Sequence, residues 1–168
     1  MNTPIAIITG ITGQDGSYLR DLLLRKGYEV HGWLRSSKSM ETQPTLENLY
    51  YHIADFANGD SLTNLMTTIR PQEIYHLAAQ SNVRASFDDP LTTTDVNAMG
   101  TLRLLESIRK TQENIGQQIR LFHASSGEIF GPNTEAPLTE TSPFNPQSPY
   151  GISKTCAHWS VPTVRRAY

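Results

Sequence analysis

Tyr150 and Lys154 stand four residues apart in Ser148-Pro149-Tyr150-Gly151-Ile152-Ser153-Lys154, a stretch that reads as the opening of a helix. At that spacing the two side chains share one helical face. An ammonium beside a phenol favours the phenolate, so the lysine can turn the tyrosine into a general base for an alcohol proton. Upstream, Ser126-Gly127-Glu128 reads as the end of a strand. Residues two apart on a strand face the same way, so Ser126 and Glu128 are expected to point into one crevice. Glu128 adds an acid/base that simple dehydrogenation does not need. The set suits a nicotinamide enzyme that does more than oxidise. Each part also has a plain reading: a Tyr and a Lys on a surface helix, a turn serine, a surface glutamate. The elements that position them must decide.

Those elements alternate. Residues 4–9 read as a buried strand, and a glycine turn follows, Gly10-Ile11-Thr12-Gly13-Gln14-Asp15-Gly16. A helix over 17–26 ends at Gly27. Further strands are expected over 28–34, 50–54, 73–78 and 118–124, and further helices over 61–69, 90–112 and 150–168. The 90–112 helix carries Val96, Met99, Leu102, Leu105 and Ile108 as an apolar stripe. Residues 131–148 hold four prolines and read as a loop. Strand–helix alternation predicts an α/β fold, a doubly wound parallel sheet with helices on both faces and strand order 3-2-1-4-5. One domain over 1–168 is the expectation from length.

Gly10, Gly13 and Gly16 lie between a strand and a helix, with Thr12, Gln14 and Asp15 completing the turn. Missing side chains let a backbone approach pyrophosphate, and the helix start offers N–H donors. After the second strand an acid would hold the ribose of NAD. Arg35 and Ser36 stand there instead, a pattern that suits the extra phosphate of NADP; a solvated arginine is the rival. Asp55-Phe56, expected at the end of the third strand, can meet an adenine, or the acid can simply be solvated. Leu77, Ala78, Ala79 and Ser81 at the end of the fourth strand leave room for a cofactor, with packing alone as the rival. The five histidines, at 31, 52, 76, 123 and 158, have no metal-ligand spacing, so no metal is expected. His158 reads as a packed helix residue and Cys156 as structural.

Composition narrows the class. The net charge is −2 with no basic run, so no nucleic-acid partner is expected. A single cysteine excludes a disulfide framework and fits a reducing compartment. The apolar run at 5–8 is too short to span a bilayer and lacks a basic leader, so no membrane partner is expected and the cytoplasm is the expected location.

Taken together, the residues resemble the extended short-chain dehydrogenase/reductases, and within them the GDP-mannose 4,6-dehydratase family. The carrying stretches are Thr-Gly-Ile-Thr-Gly-Gln-Asp-Gly-Ser-Tyr-Leu at 9–19, Glu-Val-His-Gly-Trp-Leu-Arg-Ser-Ser at 29–37, and Glu-Ile-Tyr-His-Leu-Ala-Ala-Gln-Ser-Asn-Val at 73–83. Gly-Thr-Leu-Arg-Leu-Leu-Glu at 100–106 and Ser-Pro-Tyr-Gly-Ile-Ser-Lys at 148–154 complete them. The resemblance covers the family's N-terminal, cofactor-binding half. It implies that Tyr150 takes the proton of the sugar 4-hydroxyl as hydride passes to NADP. Lys154 would tune Tyr150 and hold the nicotinamide ribose, and Ser126 would bond the carbon-4 oxygen. Glu128 would remove the carbon-5 proton and help water leave carbon 6. Return of the hydride to carbon 6 would give GDP-4-keto-6-deoxymannose and recycle NADP.

The resemblance implies that the family's substrate domain, with its guanine- and diphosphate-binding residues, is not expected among these 168 residues. The resemblance therefore implies GDP-mannose or a related nucleotide sugar as ligand of an active form, and either a piece of a longer protein or a short form. It also implies a homo-oligomer through the 90–112 and 150–168 helices. Departures are Gly127, where the family has Ser or Asp; Ser36, replacing an arginine; Thr45, replacing another; and Pro162 inside a helix. A non-catalytic NADP-binding or scaffold role, and an epimerase or reductase of the same superfamily, stay open as alternatives.

Overall fold

The computed structural model describes residues 3–132 and 137–168, so residues 133–136 of the expected 131–148 loop lie outside the described residues. The chain divides into two compact units, Met1–Ala78 with Glu106–Ala124, and Ala79–Leu105 with Ser125–Tyr168.

The first unit holds the sheet. Strands β1 (Ile5–Thr9), β2 (Glu29–Leu34), β3 (Leu49–Ile53), β4 (Glu73–His76) and β5 (Arg120–His123) lie in the order 3-2-1-4-5. Every pairing is parallel, with Ile7 opposite His31 and Ile74, and His76 opposite His123. The expected doubly wound order is therefore present. Alternation along the strands sends Ala6, Ile8, Val30, Leu34 and Leu49 to one face, where they pack with Ile11 and with Leu23 of helix α1 (Gln14–Arg25). On the other face Ile7 and Ile74 are fully buried, as are Leu62 and Met66 of helix α2 (Gly59–Ile69). Full burial of each such side chain contributes about 1.5–3 kcal/mol. Helix ends follow local chemistry. The Asn58 side chain accepts the Ser61 N–H at 3.0 Å to start α2. Arg70, in the left-handed region at φ 55°, and Pro71 stop it.

Two strand ends differ from expectation. β4 stops at His76 and β5 at His123, so Leu77–Ser81 and Ser126–Glu128 lie beyond strands rather than in them. β3 stops at Ile53, placing Asp55 and Phe56 in the turn after it.

The second unit is mainly helical. Helix α3 (Val83–Asp88), which no apolar period announced, starts where the Asn82 side chain accepts the Ala85 N–H at 3.0 Å. Asp89 caps α4 (Pro90–Thr94) through the Thr92 N–H at 3.1 Å, with Pro90 at the first helical position. A π-helical turn, Asp95–Met99, joins α4 to α5 (Gly100–Ile115). Its i→i+5 pattern shifts the helical phase, which breaks the expected stripe: Leu105 and Ile108 are buried, while Val96 and Met99 are exposed. Helix α6 (Pro149–Ala167) opens on the Ser148 side chain, which accepts the Gly151 N–H at 2.9 Å. It runs on through Pro162. Hydroxyls on both sides of that residue bond back within the helix, Ser160 Oγ to the Cys156 carbonyl at 2.8 Å and Thr163 Oγ1 to the Trp159 carbonyl at 2.7 Å.

Candidate active site

In the first unit the glycine turn is tight. Gly10 sits at φ 73°, and a Cβ on it would come 2.8 Å from the Ala78 nitrogen. The Gly13 N–H donates to the Gly10 carbonyl at 3.0 Å, and α1 begins one residue later with no side chain capping it. The first-turn N–H groups are thus left for an outside acceptor. A Cβ at Gly16 would collide with the Gly10 carbonyl oxygen and come 2.7 Å from Ile11 Cα. Thr12, Gln14 and Asp15 are exposed along the turn.

Thr9, which the sequence reading missed, ties the turn to the segment after β4. Its buried Oγ1 accepts the N–H groups of Leu77 at 3.2 Å and Ala78 at 3.1 Å. The same hydroxyl shares a hydrogen bond with His76 Nδ1 at 2.8 Å. Leu77 and Ala78 are thereby held against the glycine turn. His76 in turn stacks on Phe56 at 5.5 Å and on His123 at 5.4 Å. Phe56 is part of this ring column, and Asp55 Oδ1 accepts the Ala57 N–H at 2.9 Å. Arg35, the first residue after β2, is exposed and makes no hydrogen bond or ion pair with the described residues. The Ser36 hydroxyl contacts Ser39 Oγ at 3.2 Å.

The second unit holds the acid/base residues. Tyr150 and Lys154 are one turn apart on α6 and both buried. Ser126 does not lie on a strand; its Oγ accepts the Glu128 N–H at 3.2 Å and caps a 3-10 turn over Gly127–Ile129. Glu128 therefore projects from a helical turn, and the expectation of a shared strand face is corrected. This turn abuts α6, because a Cβ at Gly151 would come 2.8 Å from the Glu128 carbonyl oxygen. Ala79 and Ser81 flank Gln80, whose N–H donates to Asn97 Oδ1 at 2.8 Å and whose carbonyl accepts from Asn97 Nδ2 at 3.0 Å. Asn97 Nδ2 also donates to Ser153 Oγ at 3.1 Å, and Ser153 Oγ to the Tyr150 carbonyl at 2.7 Å. Buried Asn97, on the π-helical turn, thus joins the Ala79–Ser81 segment to the turn of α6 that bears Tyr150 and Lys154. A lone amide inside an apolar helix pattern was the available signal.

Burial pushes the Lys154 ammonium down to about 8. An unfolded lysine titrates near 10.4, so between these values the unfolded chain binds the extra proton. This group's stability is complete above the unfolded value and is lost as pH falls through about 8. Lys154→Met is expected to flatten the wild-type rise in stability from pH 8 to 10, and to raise stability at pH 7 by about 1–2 kcal/mol. Urea unfolding of both chains across that range checks it; equal slopes contradict it.

Parallel strands in this order, a glycine turn after the first, and a Tyr-x-x-x-Lys pair on the helix after the fifth define a short-chain dehydrogenase/reductase fold. Within that class, the family described as GDP-mannose 4,6 dehydratase matches residues 7–168, and the chain belongs to it. It is 46% identical to GDP-mannose 4,6 dehydratase 1 of Arabidopsis thaliana over 98% of this chain and 48% of that one. It is 43% identical to the GDP-mannose 4,6 dehydratase of Homo sapiens over 98% of this chain and 46% of that one. The chain spans about half the length of the curated relatives it matches. Among solved structures, it resembles UDP-glucose 4-epimerase of Thermotoga maritima with UDP-glucose, at TM-score 0.83 and 27% identity, covering 98% of this chain and 52% of that one. It also shares the fold of the UDP-Glc/GlcNAc 4-epimerase of Campylobacter jejuni, at TM-score 0.86 and 23% identity, covering 98% and 50%. Among the described residues, no helix is long and apolar enough to cross a membrane, and no group of three or more His, Cys, Asp or Glu residues could hold a metal ion.

Proposed function

We propose that these residues bind NADP and carry the proton-transfer set of a GDP-mannose 4,6-dehydratase. The observation that carries the reading is Tyr150 and Lys154 on one turn of α6, with the Glu128 main chain packed against the intervening Gly151. The first-turn N–H groups of α1 would hold the cofactor's diphosphate, and Arg35 its extra phosphate. Asp55 and Phe56 would meet the adenine, while Leu77, Ala78, Ala79 and Ser81 would line the bound cofactor. NADP, when bound, supplies a hydride acceptor that returns the hydride later. Tyr150 accepts the 4-hydroxyl proton, Lys154 favours its phenolate and holds a ribose hydroxyl, and Ser126 bonds the carbon-4 oxygen. Glu128 takes the carbon-5 proton and gives a proton to the departing hydroxyl. An epimerase has no elimination step and does not need Glu128. The cytoplasm is the proposed location.

The isolated 168-residue chain, mixed with NADP and GDP-mannose, is expected to bind the nucleotide and release no measurable 4-keto-6-deoxy product. Holding a sugar in near-attack geometry supplies up to ~7–11 kcal/mol, and the curated relatives carry about as much chain again as is matched here. Efficient turnover, abolished by Tyr150→Phe and Glu128→Gln, would contradict this. Self-association is also proposed. Leu91, Met99, Ile152 and Trp159 are exposed apolar residues on the α4–α5 and α6 helices, and such faces seek partners. Light scattering at micromolar concentration is expected to give at least a dimer mass; a strictly monomeric mass opposes it.

A further inference from the structure

We propose that His158 is a positioning residue for the turn that bears Ser126 and Glu128; the catalytic meaning of this inference rests on the function proposed above. His158 follows Tyr150 and Lys154 at successive four-residue spacings on α6, so the three lie along one stripe. Its Nδ1 is 3.2 Å from the hydroxyl of Ser125, the residue before Ser126. At the far end of the same turn, the Glu128 carbonyl lies against Gly151. The turn is therefore held to α6 at two points, Ser125 on His158 and Glu128 on Gly151, with Ser126 and Gly127 between them.

The imidazole is itself fixed. It meets Phe144 edge-on at 5.1 Å and Trp159 at 5.7 Å. Phe144 also meets Phe130, just past the turn, at 5.2 Å, and the Asn145 N–H donates to the Ile129 carbonyl at 3.0 Å. Rings thus set the plane of His158 and leave Nδ1 aimed at Ser125. Gly127 explains why a tether matters. It is exposed, and a Cβ there would meet nothing within 4 Å, so no side chain of its own restrains the turn at that residue, and its one hold among the described residues is the Phe130 N–H donated to its carbonyl at 3.1 Å. Glycine gives up more conformational freedom on ordering than any other residue. An acid/base displaced by about 1 Å can cost about 100-fold in rate, so the direction of Glu128 depends on what restrains this turn.

Amide hydrogen exchange on the full 168-residue chain tests the proposal. His158→Phe keeps the ring and its edge-on contacts but removes the nitrogen; His158→Asn keeps a polar atom near the Nδ1 position. The Phe variant is expected to speed exchange at the Glu128 and Ile129 amides about tenfold, with β1 amides unchanged. Ser125→Ala is expected to match it, the double variant to be no faster than either single one, and the Asn variant to recover slow exchange. In a Gly127→Ala background the His158→Phe effect is expected to shrink. Unchanged exchange in His158→Phe, equal acceleration throughout the chain, or additive effects of the two single changes would overturn the proposal. The readout needs no turnover. A chain without dehydratase activity therefore leaves the tether testable, and failure of the tether leaves the NADP reading standing.

Discussion

Gly16→Ala is expected to weaken NADP binding by about 100-fold or more and to lower stability by about 1–3 kcal/mol. A Cβ at this position meets main chain, the Gly10 carbonyl oxygen and Ile11 Cα, rather than the movable end of a side chain. Relief requires the turn between β1 and α1 to open, which moves the first-turn N–H groups away from a shared acceptor. Each such bond to a charged group is worth about 1.5–3 kcal/mol, so losing the alignment of two costs more affinity than the strain costs stability. Gly13→Ala is the graded comparison. Its Cβ would come 3.3 Å from the Gly10 oxygen, a tight contact that a small shift relieves, and its effect is expected to be several times smaller. Urea unfolding and calorimetric titration of both variants read the two effects. Equal, small losses in both would show that the turn does not hold phosphate.

Arg35→Ala is expected to lower affinity for NADP about 10- to 100-fold and to leave NAD binding nearly unchanged. Arg35 immediately follows β2, at the carboxyl edge of the sheet, and its guanidinium is exposed with no described partner to give up. A phosphate there gains charge-assisted hydrogen bonds against little competing protein interaction. On the proposed reading, Arg35 carries most of the discrimination, because Ser36 beside it offers only a neutral hydroxyl. Calorimetry with both nucleotides measures the change. A parallel loss for NAD would point to a general disturbance, and an unchanged NADP affinity would remove Arg35 from the site.

The frame was legible in the sequence because each crossover is local. A buried strand, a glycine turn and an amphipathic helix repeat with clear stops, at Gly27 after α1 and at Pro71 after α2. Parallel pairing and the 3-2-1-4-5 order follow from that alternation and the fold's handedness. Tyr150 and Lys154 were legible for the same reason, one helix and one spacing. Ser126 and Glu128 were legible as residues but not as geometry, since three residues of 3-10 turn leave no periodic signal. Thr9 and Asn97 were not legible. Their roles come from contacts 67 and 56 residues away in sequence, to His76 and Ser153. The phase shift at Asp95–Met99 was hidden because apolar periodicity assumes an unbroken α-helix.

Titration of the unmodified 168-residue chain with NADP and, in parallel, with NAD decides whether the glycine turn and Arg35 form an NADP site. Saturable one-to-one binding of NADP is expected, with NAD at least about tenfold weaker. Tighter binding of NAD, or no heat of binding with either nucleotide at millimolar concentration, would contradict it.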